Sequence, residues 1–94
     1  MSNIVERITQ ELDIPPERVI NEGAYRFLEM ELRNLSSEKA IISSKHGVSS
    51  FDQLWEKIER GEISENECFY DLTKLEYLEL QVEKLRRVME GCDR

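Results

Sequence analysis

The sequence predicts an all-α protein, and three observations carry that prediction. Apolar residues recur at steps of three and four along most of the 94 residues. Only four glycines and two prolines interrupt them, mostly at the ends of periodic stretches. Hydrophobic residues make up 39% and charged residues 35% of the chain, which is too apolar for disorder and fits a helix-rich globular protein. A chain of this length forms one domain, 1–94, and buries a small enough share of its surface that self-association would help it.

The elements follow in order. Ile4, Val5, Ile8 and Leu12 lie on one stripe and predict a short helix over about 3–12. Pro15 and Pro16 stop it, because a proline disfavours helical geometry in the residue before it, and Asp13 or Ile14 marks the corner. A proline in the first turn then opens a long helix over about 16–46, with Val19, Ile20, Ala24, Phe27, Leu28, Leu32, Leu35 and Ile42 at helical spacing. The serine pairs Ser36-Ser37 and Ser43-Ser44 leave open whether this helix is one rod. Lys45-His46-Gly47 reads as its end, with cations complementing the dipole and a glycine free to take the left-handed cap. Ser50 through Gln53 matches a capping box and opens a third helix over about 50–60 on Phe51, Leu54, Trp55 and Ile58. Gly61 ends it, and a second capping box, Ser64 to Glu67, opens the last helix over about 64–91.

That last helix has the most regular pattern. Leu75, Leu78, Val82, Leu85, Met89 and Cys92 form a heptad seam, the mark of a helix that needs a long partner. The 16–46 helix supplies one, in a hairpin of two long, roughly antiparallel helices bridged by the short third helix. The seam runs beyond what the third helix can cover, so part of it is expected to meet a second chain in a homodimer of coiled-coil character.

Composition excludes several functions. No apolar run approaches the ~20 residues of a membrane span, and the first residues lack the basic and apolar regions of an export signal, so the expected location is cytoplasmic. Net charge is −7, with acidity growing toward the C-terminus, which disfavours phosphate backbones as partners. Cys68 and Cys92 with a single histidine make no zinc cluster, and no cofactor or metal is expected. Catalytic use of His46 lacks a nucleophile or acid beside it in the sequence, so it is read as a capping residue. Asp71 and Glu67, four apart, can share one face, but one such pair is too few ligands for metal or glycosidase chemistry.

Between Gly61 and Thr73 there is no lysine or arginine, while Glu62, Glu65, Glu67 and Asp71 crowd together. Much of that acidity serves a helix start. Glu62 and Asp71 lie outside that role, and Phe69 and Tyr70 supply aromatic anchors of the kind interfaces favour. These six residues are read as the surface for a basic protein partner.

Two resemblances bear on function. Glu11-Leu12-Asp13-Ile14 followed by Glu17 through Leu28 is similar to the helical half of ribbon-helix-helix proteins, small dimeric DNA binders that often serve as antitoxins. The stretch Lys45-His46-Gly47-Val48-Ser49-Ser50-Phe51, with Gly61-Glu62-Ile63-Ser64, resembles small uncharacterised helical proteins of archaea. Ribbon-helix-helix proteins read DNA with a strand before the first helix, for which only three or four residues stand here, and Pro15 and Pro16 remove backbone donors from the would-be phosphate anchor. The resemblance therefore implies helix pairing more than DNA reading. The expected function is a non-enzymatic interaction module, antitoxin-like or adaptor, whose basic partner could be a nucleic-acid-cutting toxin; the alternative is a dimeric DNA-binding regulator.

Overall fold

The computed structural model describes residues 3–91 and contains four helices: α1 (Ile4–Leu12), α2 (Pro16–His46), α3 (Phe51–Glu59) and α4 (Glu65–Glu90). No strand occurs among the described residues, and no helix is long and apolar enough to cross a membrane. Cys92, the last position of the expected seam, lies outside the described residues.

Each boundary has a local cause. The Asn3 side chain accepts from the Val5 N–H at 2.8 Å and caps α1, and Asp13 closes it in the left-handed conformation (φ 55°) with its N–H on the Thr9 carbonyl. Pro16 occupies the first turn of α2, where its missing donor costs nothing. Gly47 ends α2 at φ 66°, and the Val48 N–H returns to the Ser43 carbonyl at 2.9 Å, the closing bonds of a Schellman cap. Ser36-Ser37 and Ser43-Ser44 do not break α2, which runs unbroken for 31 residues, about 46 Å. The Ser50 hydroxyl caps α3 on the Gln53 N–H, and the Gln53 side chain reaches back to the Ser49 N–H. At α4 the expected box does not form. Ser64 has the extended cap conformation but makes no side-chain cap bond, and its carbonyl instead accepts from both the N–H and the thiol of Cys68.

α2 and α4 run antiparallel, since His46 meets Asp71, Lys39 meets Glu79, and Leu32 shares a groove with Met89. α3 folds back over one end of this hairpin. Leu54 of α3 and Leu72 and Leu75 of α4 form the core, and Ile42, Val48, Phe51, Ile58 and Ile63 pack around them. Leu78 and Cys68 are also buried, extending the α4 core face in both directions. Leu75 and Leu78, seam positions expected to pack against the chain's own second long helix and in part against another chain, are fully enclosed within the chain. Val82, Leu85 and Met89, beyond α3, are only half-buried.

The molecule is long. Its extents are 62 × 26 × 18 Å and its radius of gyration is 19.4 Å, against about 12 Å for a compact domain of this length. The physical reason is that α3 covers only the Asp71 end of the hairpin. At the other end α2 and α4 face each other alone, with α1 leaning on α2.

Candidate functional site

Two regions of the surface concentrate chemistry. The first is a polar lock where the last turn of α2 meets the second turn of α4. His46 Nε2 lies 2.8 Å from Asp71 Oδ2, and Lys45 Nζ lies 2.9 Å from the same oxygen. Both His46 and Asp71 are mostly buried. The lysine hydrogen bond, then the histidine hydrogen bond, hold the Asp71 carboxyl below the ordinary carboxylate range despite its burial. An ionised carboxylate only accepts, so the Nε2 atom carries the ring proton in this contact. Lys57 of α3 completes the lock by donating to the His46 carbonyl at 2.8 Å, tying three helices to one corner.

Two potential nucleophiles sit one turn before the pair, Ser43 before His46 and Cys68 before Asp71. Neither is engaged by it: the Cys68 thiol donates to the Ser64 carbonyl, its burial pushes its pKa up, and the Ser43 hydroxyl is buried with no hydrogen-bond partner. The lock therefore orients helices and is not arranged as a nucleophile, base and acid. No group of three metal-ligating side chains converges among the described residues.

The second region is the start of α4, the expected partner surface, and its six residues separate here. Asp71 is mostly buried and paired with Lys45 and His46, unlike the exposed positions around it. The cations absent from Gly61 to Thr73 in sequence arrive from α2 in space. Glu62 is held by Arg60 Nε at 2.7 Å. Glu65 and Glu67 are exposed, and no cation among the described residues pairs with them. Phe69 and Tyr70 are exposed beside them, Tyr70 at 75%. Glu65, Glu67, Phe69 and Tyr70 are all exposed on the first turns of α4, Glu65 one turn from Phe69 and Glu67 one turn from Tyr70, while Cys68 and Leu72 on the same helix point into the core.

At the opposite end Tyr25, Leu32, Arg86, Met89 and Glu90 line an open groove of about 380 Å³ between α2 and α4. Sequence reasoning missed this groove and the His46–Asp71 pair. Its sequence-level trace is Met89, a seam position lying past the reach of α3.

A family model described as "Uncharacterized protein MJ0235 family" matches residues 1–94. The chain is 38% identical over 71 residues to "Uncharacterized protein MJ0235" of Methanocaldococcus jannaschii, an alignment covering 76% of this chain and 85% of that relative. No solved structure matches.

Proposed function

The chain belongs to the MJ0235 family, and we propose that it is a non-enzymatic module that works by binding protein. The observation that carries this reading is the start of α4, where two acids that pair with no cation among the described residues each lie one turn from an exposed ring, Glu65 from Phe69 and Glu67 from Tyr70. Aromatic rings anchor interfaces through their area, while unpaired like charges around them steer a partner of opposite sign. The partner is accordingly a protein presenting a basic surface with an apolar centre. An adaptor or an antitoxin neutralising a nucleic-acid-cutting toxin has this requirement, since such a toxin carries a basic groove.

The test is quantitative capture from native host cells with the tagged full chain, comparing wild type with Glu65→Lys/Glu67→Lys and with Tyr70→Ser. All three positions are exposed, so the fold is retained. A basic partner recovered by wild type and reduced about tenfold or more by either variant supports the reading, since tenfold corresponds to ~1.4 kcal/mol of interface energy. Equal recovery by all three proteins would sink it.

A further inference from the structure

α1 is held far more lightly than the other helices. It packs on α2, yet none of its nine residues is buried, and only Val5, Ile8 and Thr9 are even half-buried. Ile4 is 66% and Leu12 64% exposed, so both ends of its apolar stripe lie in water. The α2 side is equally thin: across residues 16–23, its first two turns, only Val19 is half-buried. The Thr9 hydroxyl oxygen is buried without a hydrogen-bond partner, a cost that the packed helix carries and a hydrated one does not. A helix this short gains little from its own backbone bonds in water, so what keeps α1 in place is that small contact.

The joint between α1 and α2 runs from Asp13 to Pro15 and has one adjustable member. The ring of Pro15 fixes its φ, at −59°, and the following Pro16 holds it extended, at ψ 141°. Ile14 precedes Pro15 and is restricted to the extended region for the same reason. That leaves Asp13, at φ 55° and ψ 44°, in the left-handed region that a residue with a Cβ enters only at a cost. Rotation about the Asp13 backbone keeps the hydrogen bonds that close α1 and open α2. Its own N–H, on the Thr9 carbonyl at 3.0 Å, belongs to the peptide before the rotating bonds and moves with α1. The Arg18 and Val19 N–H groups take the Pro15 carbonyl at 3.1 and 3.2 Å and move with α2. Pro15 and Pro16 have no N–H to leave unpaired, so α1 can part from α2 without unravelling it.

We propose that α1 is a hinged strap, which opens from α2 as one unit about Asp13 while α2, α3 and α4 stay folded. The packed state covers Val5, Ile8 and Val19; the open state hydrates them, and lets Asp13 leave the left-handed region. Two features set the balance between the states: the small apolar contact favours the packed one, and the Asp13 backbone together with the Thr9 hydroxyl favours the open one. The buried face of α4 has no such alternative, since Cys68, Leu72, Leu75 and Leu78 are released only when the whole hairpin comes apart. The strap lies at the opposite end of the molecule from Glu65, Glu67, Phe69 and Tyr70, so it goes beyond the binding reading and is decided independently of it.

Native-state hydrogen exchange of the purified full chain, followed by NMR at rising but sub-denaturing urea, tests this. The amides from Arg7 to Asp13 are expected to share one protection factor, at least about tenfold below that of the Leu72 to Leu78 amides, and to respond little to urea because the opening exposes little surface. Asp13→Val, whose branched Cβ disfavours the left-handed region, lowers α1 protection by about a further tenfold and leaves α4 unchanged. Asp13→Gly enters that region freely and does not lower it. The pair of variants separates the hinge from a general loss of stability, which would speed exchange in α1 and α4 alike. Three results overturn the proposal: α1 amides with the protection and urea response of α4, protection rising steadily from Arg7 to Asp13 as in a helix that frays from its end, or Asp13→Val acting on α1 no more than Asp13→Gly does.

Discussion

His46 and Asp71, 25 positions apart in sequence, are joined by a 2.8 Å Nε2 to Oδ2 contact that sets the turn at which α2 and α4 meet. The shared oxygen also takes Lys45 at 2.9 Å, so one carboxylate gathers the end of α2 against α4 just where α3 turns back.

The first prediction follows from the charge on Asp71. Its pKa is lowered in the folded state, first by the Lys45 hydrogen bond and then by His46. A depressed carboxylate pKa contributes stability that is fully present above the unfolded value near ~3.9 and is lost as pH falls through the folded value. Asp71→Asn should therefore cost about 1–2 kcal/mol at pH 7, the range for a mostly buried hydrogen bond to a charged group. The gap between variant and wild type should close in acid, below pH ~3.9. Thermal melts of both proteins at neutral pH and in acid check it; a gap independent of pH would mean that Asp71 contributes by packing alone.

How much of this was legible in the sequence depends on the range of the interaction. Helix ends were, because Pro16, Gly47, Ser50 and Gly61 act on their own neighbours. The core face of α4 was too, since Leu75, Leu78 and Val82 repeat on one side. That the 16–46 helix packs against this face was legible as well, but a three-four repeat does not say how much of the face another helix or another chain covers, and Leu75 and Leu78 are enclosed within the chain. Asp71 sat in a run without cations and so read as outward-facing, but its cations belong to α2 and reach it only through the hairpin.

Ser43 offers a second prediction of opposite sign. Its hydroxyl is buried in α2 without a hydrogen-bond partner, while its carbonyl, which closes the helix on Gly47 and Val48, is a backbone group that substitution leaves in place. Ser43→Ala removes an unsatisfied hydroxyl and adds helix propensity, so it should stabilise the protein by about 0.5–1.5 kcal/mol. Urea denaturation should show a higher midpoint at unchanged slope. A lower midpoint would reveal that the hydroxyl is satisfied in solution.

Cys68 gives a third. Its side chain is fully enclosed, its thiol donates to the Ser64 carbonyl, and burial, reinforced by Asp71, Glu65 and Glu67, raises its pKa. Since the thiolate is the reactive form, Cys68 in a Cys92→Ser background should resist a thiol reagent under native conditions and react fully once urea unfolds the chain. Native labelling as fast as that of a free thiol would contradict its placement.

The last prediction concerns Glu79, the α4 residue that ties the other two core helices together. One carboxylate oxygen, Oε2, accepts from the Phe51 N–H at 2.7 Å at the first residue of α3, and lies 3.7 Å from Lys39 Nζ of α2. A helix begins with backbone donors that lack partners inside the helix, and this one is part-buried, so leaving it empty has a cost. The ion pair is a third exposed and contributes less, on the order of 0.5 kcal/mol. The two effects can be separated by substitution. Glu79→Gln keeps a carbonyl oxygen for Phe51 and loses only the attraction to Lys39, so it should cost under about 1 kcal/mol, while Glu79→Ala loses both and should cost about 1.5–2.5 kcal/mol. Because a neutral amide needs no cation, Lys39→Ala should destabilise wild type slightly and leave Glu79→Gln unaffected, a double-mutant cycle that isolates the pair. Hydrogen exchange should localise the larger loss: in Glu79→Ala the amides of α3 exchange faster while those in the middle of α2 keep their protection. Equal destabilisation by Gln and Ala would show that charge, not the cap on Phe51, is what Glu79 supplies.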